Sequence, residues 1–578
     1  MPSALFEAKA DRMDKGLNLN SDRNLDYAEI SNGASLRFEH GAGIMTGPGF
    51  QKTAQPVADV GYDGSIEANR VRATGWVKLG TKIQYTHDGS TFYDTGVTVT
   101  ADKVQGFLEQ GNGDILTSNQ TDSPLRFAVG KAQAIILDTD VTINVGTVYI
   151  NKFAASGTVY IRGDAISYSG RNTGAGTLTG VTGIVSGGHP IDSLVVQSSN
   201  PSTWVEEKGT ILLNFESRML VMNVLGREEV VYYSAIEDLA NPEFFYDFDG
   251  NGAYQKIMPG KVTAGITGVG GGYIILESGI QKVLGFDPAS GALLTQEISS
   301  SYGAYNQKCV ADMDGVVAFL GRKRLIPITL TLDPTAETAP FLGEEFDKNI
   351  RPWLESHDDP DDQADAYLKW DSTQKILKIG GIVDGALETY VYDRQNPGFL
   401  PKESRSVGTS LMINGKSYFG DRDNGNFYED DIGRTNNGAA MGHFITTGRI
   451  EFDKGRRYMK GQYLSYEGWM TKGTFHTLRV YIEGSSVASY DQEFSWEDLI
   501  TSESGRPIGL RGVGLSTPGG DVGGDVTVYP YENDIIIRGL NGDDFRIEWE
   551  ITGEGNFLLL NTWAMSAHPT RRQPNTRN

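Results

Sequence analysis

One acidic turn has the residue types and spacing of a calcium-binding loop. Asp247, Asp249 and Asn251 alternate along a run that ends in Gly252. Oxygen-bearing side chains at alternate positions, followed by glycine, form the first half of the helix–loop–helix calcium loop. The twelfth position, where that loop needs a bidentate glutamate, is Met258, and no helical pattern flanks the run. The run is a candidate Ca²⁺ site whose second half departs from the motif.

A second acidic turn repeats part of this pattern. Asp421 and Asp423 alternate ahead of Asn424 and Gly425. For both turns a second interpretation is open, because Asp and Asn side chains also bond the backbone of their own turn. Ca²⁺ is the only cofactor that the sequence brings into consideration. Its candidate ligands are Asp247, Asp249, Asn251, Asp421 and Asp423.

The sequence shows no arrangement of residues that predicts catalysis. A glycosidase needs two carboxylates at a set separation, and none of the 74 acidic residues stands out as such a pair. The seven histidines are far apart, and none has the spacing of a zinc ligand pair. The turn at residues 86–92 resembles the Asp-box hairpin of sialidase-type propellers, which braces a blade and is not catalytic. We therefore expect no catalytic residues and no enzyme activity.

Charge and composition limit the partners of the chain. Its 578 residues carry a formal net charge of −23, and no long basic run interrupts it. Such an acidic surface repels nucleic acid, so sequence-specific DNA binding is not expected. Cys309 is the only cysteine, which excludes an intramolecular disulfide. We expect no membrane span and folding in a reducing cytoplasm, because the chain lacks a signal-peptide pattern and long apolar windows.

Short strands and glycine-rich turns dominate the sequence. Glycine accounts for 72 residues, about twice its usual share. Between Val230 and Phe286, runs of branched and aromatic residues alternate with glycine-rich or acidic turns, as in an antiparallel meander. One meander cannot bury both of its faces, so several must pack side by side, and similar units recur up to Tyr428. The sequence predicts an all-β protein with a β-propeller of about six to eight blades.

Changes in composition divide the chain into four parts. Residues 1–33 are polar and predicted to form an arm on a neighbouring surface. Residues 34–127 and 201–435 carry the propeller pattern. Residues 128–200, poor in aromatic residues, are predicted to be an inserted small β-domain. Residues 436–578 have longer strands between glycine loops, which predicts a C-terminal β-sandwich.

One helix is expected, over residues 344–356. Phe346, Ile350 and Trp353 fall on one helical face. Pro352 opposes this interpretation, because proline removes a backbone donor inside the run.

The order of several segments resembles that of a known protein family. Together they resemble the β-propeller nozzle or tail-tube proteins of short-tailed bacteriophages, which lie below the portal and adaptor rings. The inserted segment SGTVYIRGDAISYSGRNTGAGTLTGVTG, from residue 156, looks like a β-module common in phage tail and adaptor proteins. The other segments are VYYSAIEDLANPEFF from residue 231, ITGVGGGYIILESGIQKVLGF from residue 266, TYVYDRQNPGF from residue 389 and SYFGDRDNGNFYEDD from residue 417.

This resemblance implies a structural protein of the virion tail, made in the host bacterial cytoplasm. It implies a homo-oligomeric ring, usually of six subunits, that contacts portal or adaptor proteins and holds tail fibres or spikes. Genomic DNA would pass through the ring without sequence-specific binding, and an acidic wall suits that passage. Two alternatives stay open: a carbohydrate-binding or cleaving propeller that recognises the receptor, and a minor tail protein of a long-tailed phage.

Overall fold

The fold is seen in a computed structural model. It describes residues 6–10, 15–17, 29–39, 43–201, 203–204, 206–236, 247–248, 254–268, 271–321, 324–330, 340–343, 346–356, 364–383, 386–402, 405–432, 435–451, 459–471, 473–482, 485–495, 508–509, 527–537, 540–542, 544–552 and 558–569. Nearly all of its regular structure is β-strand.

The strands are short in the first three quarters of the chain and longer after it. The first nineteen are β1 (Phe6–Ala10), β2 (Gly16–Leu17), β3 (Glu29–Ala34), β4 (Leu36–Glu39), β5 (Gly43–Thr46), β6 (Phe50–Ala54), β7 (Tyr62–Ala68), β8 (Thr74–Leu79), β9 (Lys82–Thr86), β10 (Phe92–Thr98), β11 (Gly106–Glu109), β12 (Ile115–Ser118), β13 (Leu125–Lys131), β14 (Thr142–Asn144), β15 (Gly157–Ile161), β16 (Asp164–Tyr168), β17 (Gly170–Asn172), β18 (Thr177–Thr179) and β19 (Leu194–Ser199). The next nineteen are β20 (Gly209–Phe215), β21 (Arg218–Val224), β22 (Val230–Tyr233), β23 (Tyr254–Ile257), β24 (Val262–Gly268), β25 (Gly271–Leu276), β26 (Gly279–Phe286), β27 (Leu293–Ser299), β28 (Val310–Asp312), β29 (Val317–Gly321), β30 (Arg324–Leu330), β31 (Pro340–Leu342), β32 (Tyr367–Asp371), β33 (Ile376–Val383), β34 (Ala386–Asp393), β35 (Gly398–Lys402), β36 (Val407–Ile413), β37 (Lys416–Asp421) and β38 (Phe427–Asp430). The last are β39 (Thr435–Asn436), β40 (Ala439–Ala440), β41 (His443–Thr447), β42 (Ile450–Glu451), β43 (Met459–Thr471), β44 (Phe475–Ile482), β45 (Tyr490–Ser495), β46 (Ile508–Gly509), β47 (Thr527–Ile536), β48 (Asn541–Gly542), β49 (Asp544–Thr552) and β50 (Leu558–Pro569).

Seven sheets of the described residues form the blades of a propeller. Their inner strands β7, β11, β20, β24, β28, β32 and β36 follow one another around an axis, and β36 packs against β7 to close the ring. The predicted all-β propeller is confirmed, and seven blades lie within the predicted range. Blades 1 to 7 consist of β7–β10, of β11–β13 with β19, of β20–β23, β24–β27, β28–β31 and β32–β35, and of β36–β38 with β6.

Blade 7 is completed by a strand from the other end of the propeller sequence. β6 adds to the outer edge of β38, with Phe50 opposite Asp430 and Ala54 opposite Phe427. The Phe50 ring packs edge-on against Phe419, with ring centroids 5.3 Å apart. The chain therefore holds the ring shut by main-chain hydrogen bonds between segments more than 370 residues apart.

Glycine allows the inner strands to approach each other closely. A Cβ atom added to Gly64 of blade 1 would lie 2.3 Å from the carbonyl oxygen of Gln105, which leads into blade 2. A Cβ atom added to Gly106 would lie 2.3 Å from the carbonyl oxygen of Thr210 in blade 3. No side chain fits at either position, so part of the high glycine content serves the contacts between blades.

The inserted β-domain leaves blade 2 between its third and fourth strands. Strands β15 and β16 extend the sheet of blade 2, and β14, β18 and β17 form a second sheet that packs on it. Buried side chains such as Ile143, Phe153 and Val159 fill the space between the sheets. The prediction placed the insert at residues 128–200. The structure gives β13 and β19 to the blade, so the insert proper is residues 132–193.

Strands from both ends of the chain build the C-terminal sandwich. One sheet contains β1, β4, β5, β43, β46, β47, β48 and β50, and the other contains β2, β3, β41, β42, β44, β45 and β49. Trp549 and Trp563 lie fully inside its core. The described parts of the predicted arm pair with strands of this same chain, and β4 and β5 belong to the sandwich although the propeller was predicted to begin at residue 34. The N-terminal strands therefore add to sheets that consist mainly of C-terminal strands.

The predicted helix is shorter than expected. Helix α1 covers only Arg351–Glu355, and Pro352 is its second residue, where a missing backbone N–H costs nothing. The side chain of Trp353 in this helix packs on Tyr390, with ring centroids 4.5 Å apart. No helix within the described ranges is long and apolar enough to cross a membrane.

Buried ion pairs join the sandwich to the last two blades. Arg37 of β4 lies 2.7 Å from Asp431, at the end of blade 7. Lys378 of blade 6 contacts both Asp430 and Asp431, and Arg405 contacts Asp430. Because these side chains are buried, the pairs fix how the two domains meet.

Candidate functional site

Charged side chains from four blades meet at one end of the propeller axis. Asp63 lies at the start of inner strand β7, Lys308 precedes β28 and Asp365 precedes β32. Arg422 and Asp423 lie in the turn between β37 and β38 of blade 7. Electrostatic interactions link Lys308 to Asp365, Asp63 and Arg422, so the side chains converge. We call these five residues the axial mouth.

Most charges of the axial mouth are paired within the protein. Arg422 donates to Asp365 at 2.5 Å and to Asp423 at 3.1 Å. The carboxylate of Asp63 accepts from the buried Lys78 at 2.6 Å. Such pairs hold the side chains in place.

Lys308 is the group of the mouth that is best placed to meet a ligand. Burial lowers the pKa of its ammonium group, and the carboxylates of Asp365 and Asp63 oppose that shift. In the part of the chain that the structure describes, its Nζ has no hydrogen-bond or ion-pair partner within bonding distance. A half-buried amine of this kind can bind an anionic or polar oxygen. Perturbed groups in a cleft are candidates for functional sites.

Polar contacts join the inner strands of three blades below the mouth. The ammonium of Lys369 in β32 contacts the carboxylate of Glu67 in β7, across the inner edge of blade 7. Glu67 also accepts the backbone N–H of Met412 in that blade, at 2.6 Å. The inner strands of blades 6, 7 and 1 are thus tied together in front of the axis.

Three of the candidate calcium ligands, Asp247, Asp421 and Asp423, lie among the described residues and form hydrogen bonds within the protein. Asp421 accepts from Asp423 N at 2.9 Å and from the Asn424 side chain at 3.0 Å, as in an Asx turn. The backbone carbonyl of Asp247 accepts from Ala235 N at 2.8 Å. The candidates Asp249 and Asn251 lie outside the described residues. Among the residues that are described, no group of three or more His, Cys, Asp or Glu side chains could hold a metal.

The Asp-box-like turn braces two blades. Asp88 accepts the backbone N–H groups of Ser90 and Thr91, at 2.8 and 2.9 Å. The same turn contacts blade 7, because Thr53 donates to Gly89 O at 2.7 Å. These bonds fasten blade 1 to blade 7.

Sequence reasoning reached one residue of the axial mouth, Asp423, and gave it a different role. It missed Lys308, Asp365 and Asp63, which stand alone in sequence without a motif. Their common signal is position, since each lies within two residues of the start of an inner strand. That signal becomes readable only after the inner strands have been assigned.

Comparison with known proteins finds only remote structural similarities, each with a TM-score below 0.35. No known protein family matches the sequence, and no curated protein is significantly similar to it. Virginiamycin B lyase from Staphylococcus aureus is 7% identical with a TM-score of 0.34, over 74% of this chain and 99% of that chain. The WD40 domain of Toxoplasma gondii coronin is 9% identical with a TM-score of 0.27, over 76% and 89%. An exo-beta-1,3-galactanase from Phanerochaete chrysosporium is 8% identical with a TM-score of 0.23, over 92% and 100%.

Proposed function

We propose that this protein is a structural subunit of a bacteriophage tail, in a ring-shaped nozzle below the portal and adaptor. The ordered segments that resemble short-tailed phage nozzle proteins suggest this role. The observation that carries it is the architecture: a propeller, an insert with its own core, and a sandwich built from both ends of the chain. Such a molecule offers several separate surfaces to neighbours.

The proposal assigns these surfaces to assembly. Copies of the chain form a homo-oligomeric ring, which we expect to be a hexamer, and the genome leaves through the space that the copies enclose. The ring contacts portal or adaptor proteins on one side and holds tail fibres or spikes. The net charge of −23 favours passage of DNA without binding. A subunit of this kind needs no catalytic site and is not an enzyme.

Assembly of the purified chain tests this proposal. We expect mass photometry and light scattering to show a defined oligomer as concentration rises. Negative-stain images of that species should show rings with a central hole. A chain that stays monomeric at high concentration, with no ring in any image, would contradict the proposal.

A second candidate function is recognition of a receptor glycan at the axial mouth. Lys308 favours it, because its half-buried amine interacts electrostatically with the carboxylates of Asp365 and Asp63 at one end of the propeller. Glycan-array binding by the wild-type chain would support this function over the structural one if Lys308→Ala abolishes it and Lys348→Ala, which changes an exposed lysine outside the axial mouth, keeps it. No binding to any glycan would remove it. A minor protein of a long tail, the third possibility, would place the same ring on a tail tube.

A further inference from the structure

The insert exposes an apolar patch. Of the 17 large apolar side chains that are exposed in the described part of the chain, six lie in the insert, which is roughly one ninth of the sequence. Ile135, Leu137, Val141 and Val185 are between 41% and 67% exposed. Gly188 donates to Val185 O at 3.1 Å, and a Cβ atom added to it would lie 3.2 Å from Leu137 Cα. The two chain segments therefore touch, and we call the four apolar side chains the tip patch.

The insert is also the part of the chain where charge is sparse. Its 62 residues contain three basic and four acidic side chains, about 11% against 22% for the whole chain. Its net charge is −1, whereas the chain carries −23. Copies of an acidic protein repel each other, and that repulsion is least where few charges lie.

A second apolar patch lies on the outer wall of blades 3 and 4. Tyr254 and Ile257 of β23, Leu284 of β26 and Leu294 of β27 are between 43% and 70% exposed. β23 is the outermost strand of blade 3, and one edge of it pairs with no other strand among the described residues. Open edges with apolar side chains are sites of association. We call these four side chains the rim patch.

An acidic residue lies beside the tip patch, and a basic residue lies within strand β23 of the rim patch. Asp138 and Asp140 follow Leu137 in the insert, and the carboxylate of Asp140 accepts from Leu137 N at 2.7 Å. Asp138 stays exposed at the surface. Lys256 lies between the two exposed residues of β23, and its ammonium group donates to a backbone carbonyl, Leu293 O, at 2.9 Å.

We infer that the tip patch of one copy binds the rim patch of the next copy, with Asp138 facing Lys256. The patches differ in residues and lie on different blades, so the contact is head to tail and leaves a free tip and a free rim at the ends of any open chain. Contacts of this kind close into rings when their rotation allows it. The inference rests on the self-assembly proposed above and identifies the surfaces that carry it.

Substitutions in the full chain test the contact. Leu137→Asp in the tip patch and Ile257→Asp in the rim patch should each raise the protein concentration needed for assembly at least tenfold, as measured by mass photometry. Val148→Asp is the matched control, because Val148 is 78% exposed in the same insert but lies outside the tip patch. It should assemble like the wild type. Circular dichroism of each variant shows whether the fold is kept.

Mixing the two defective variants distinguishes head-to-tail from like-with-like contacts. The Ile257→Asp chain keeps an intact tip, and the Leu137→Asp chain keeps an intact rim. Together they should form dimers and nothing larger. Dimers of Ile257→Asp alone would overturn the inference in favour of a tip-to-tip contact.

Charge reversal tests the pairing of Asp138 with Lys256. Asp138→Lys and Lys256→Glu should each weaken assembly, and the chain that carries both should recover it. If the wild-type chain and every variant assemble equally well, the inferred contact is refuted and the proposed ring is not. A wild-type chain that never assembles would refute both.

Discussion

The buried carboxylate of Asp114 is the strongest point of attachment between the insert and blade 2. It lies between two buried cations: Arg126 binds it through two nitrogens, at 2.7 and 2.9 Å, and Lys152 lies 3.0 Å away. Asp114 is fully buried, and both cations are at most 8% exposed. Lys152 belongs to the insert, and it also donates to Val129 O of blade 2 at 2.9 Å. We predict that Asp114→Asn detaches the insert locally, whereas Lys152→Met does so far less.

The expected loss of stability depends on which charged side chains stay buried after each substitution. Removing one partner of a buried pair costs about 3–5 kcal/mol, because the remaining charge is buried without compensation. Asp114→Asn leaves two such cations. Lys152→Met leaves the paired Arg126 and Asp114, and it should cost at most about 2 kcal/mol, roughly the loss of hydrogen bonds to a charged group.

The pH dependence of the loss gives a second signature. Burial lowers the pKa of Lys152 below its ordinary 10.5, and Asp114 opposes the shift. Without that carboxylate the pKa of Lys152 falls further, and the side chain can avoid the cost of a buried charge by losing its proton. Deprotonating a lysine at pH 7 costs at most about 5 kcal/mol, at 1.36 kcal/mol per pH unit. The folded form binds fewer protons, so the deficit of Asp114→Asn should shrink as pH rises towards 10.5.

Hydrogen exchange of the insert measures the effect. Peptides that cover 150–161 should exchange roughly a hundred to several thousand times faster in Asp114→Asn, at tenfold per 1.4 kcal/mol. Peptides of blade 4, such as 271–286, should be unchanged. Equal protection in wild type and Asp114→Asn, or equal damage in Lys152→Met, would refute the reasoning.

Three further predictions concern other parts of the chain. Burial lowers the pKa of His476 in the sandwich core to about 4, so its contribution to stability is complete above pH 6.5 and is lost as pH falls through 4. Urea unfolding followed by tryptophan fluorescence should show the free energy of unfolding of the sandwich falling by about 3 kcal/mol over that pH range. His476→Gln should remove this pH dependence. Gly106→Ala should cost roughly 1–3 kcal/mol in urea unfolding, whereas Gly442→Ala, with open space around it, should be neutral. Duplex DNA should bind more weakly than about 10⁻⁴ M at physiological salt in fluorescence anisotropy, and micromolar binding would contradict the proposed passage of DNA along an acidic wall.

Local patterns predicted the blades well. Branched and aromatic runs between glycine-rich turns marked β24 to β26, because strand and turn preferences act over a few residues. The composition change near Phe127 marked the insert for the same reason. The predicted boundaries differ from the structure where a blade strand resumes after the insert at β19.

Pairings between distant segments could not be read from the sequence. β1 pairs with β50, with Phe6 opposite Ala567, and no local preference encodes such a partner. The same holds for β6 in blade 7 and for the ion pair between Arg37 and Asp431. The axial mouth depends on the order of blades around the ring, which is a property of the closed fold.

The central claim is that this chain forms a ring in a phage tail. Cryo-electron microscopy of the particle, labelled with antibodies raised against the purified chain, tests it most directly. We expect label on a ring directly below the portal and adaptor, with propellers around a central channel and none of their axes along it. Label on the capsid or on a fibre tip, or particles without label, would contradict it.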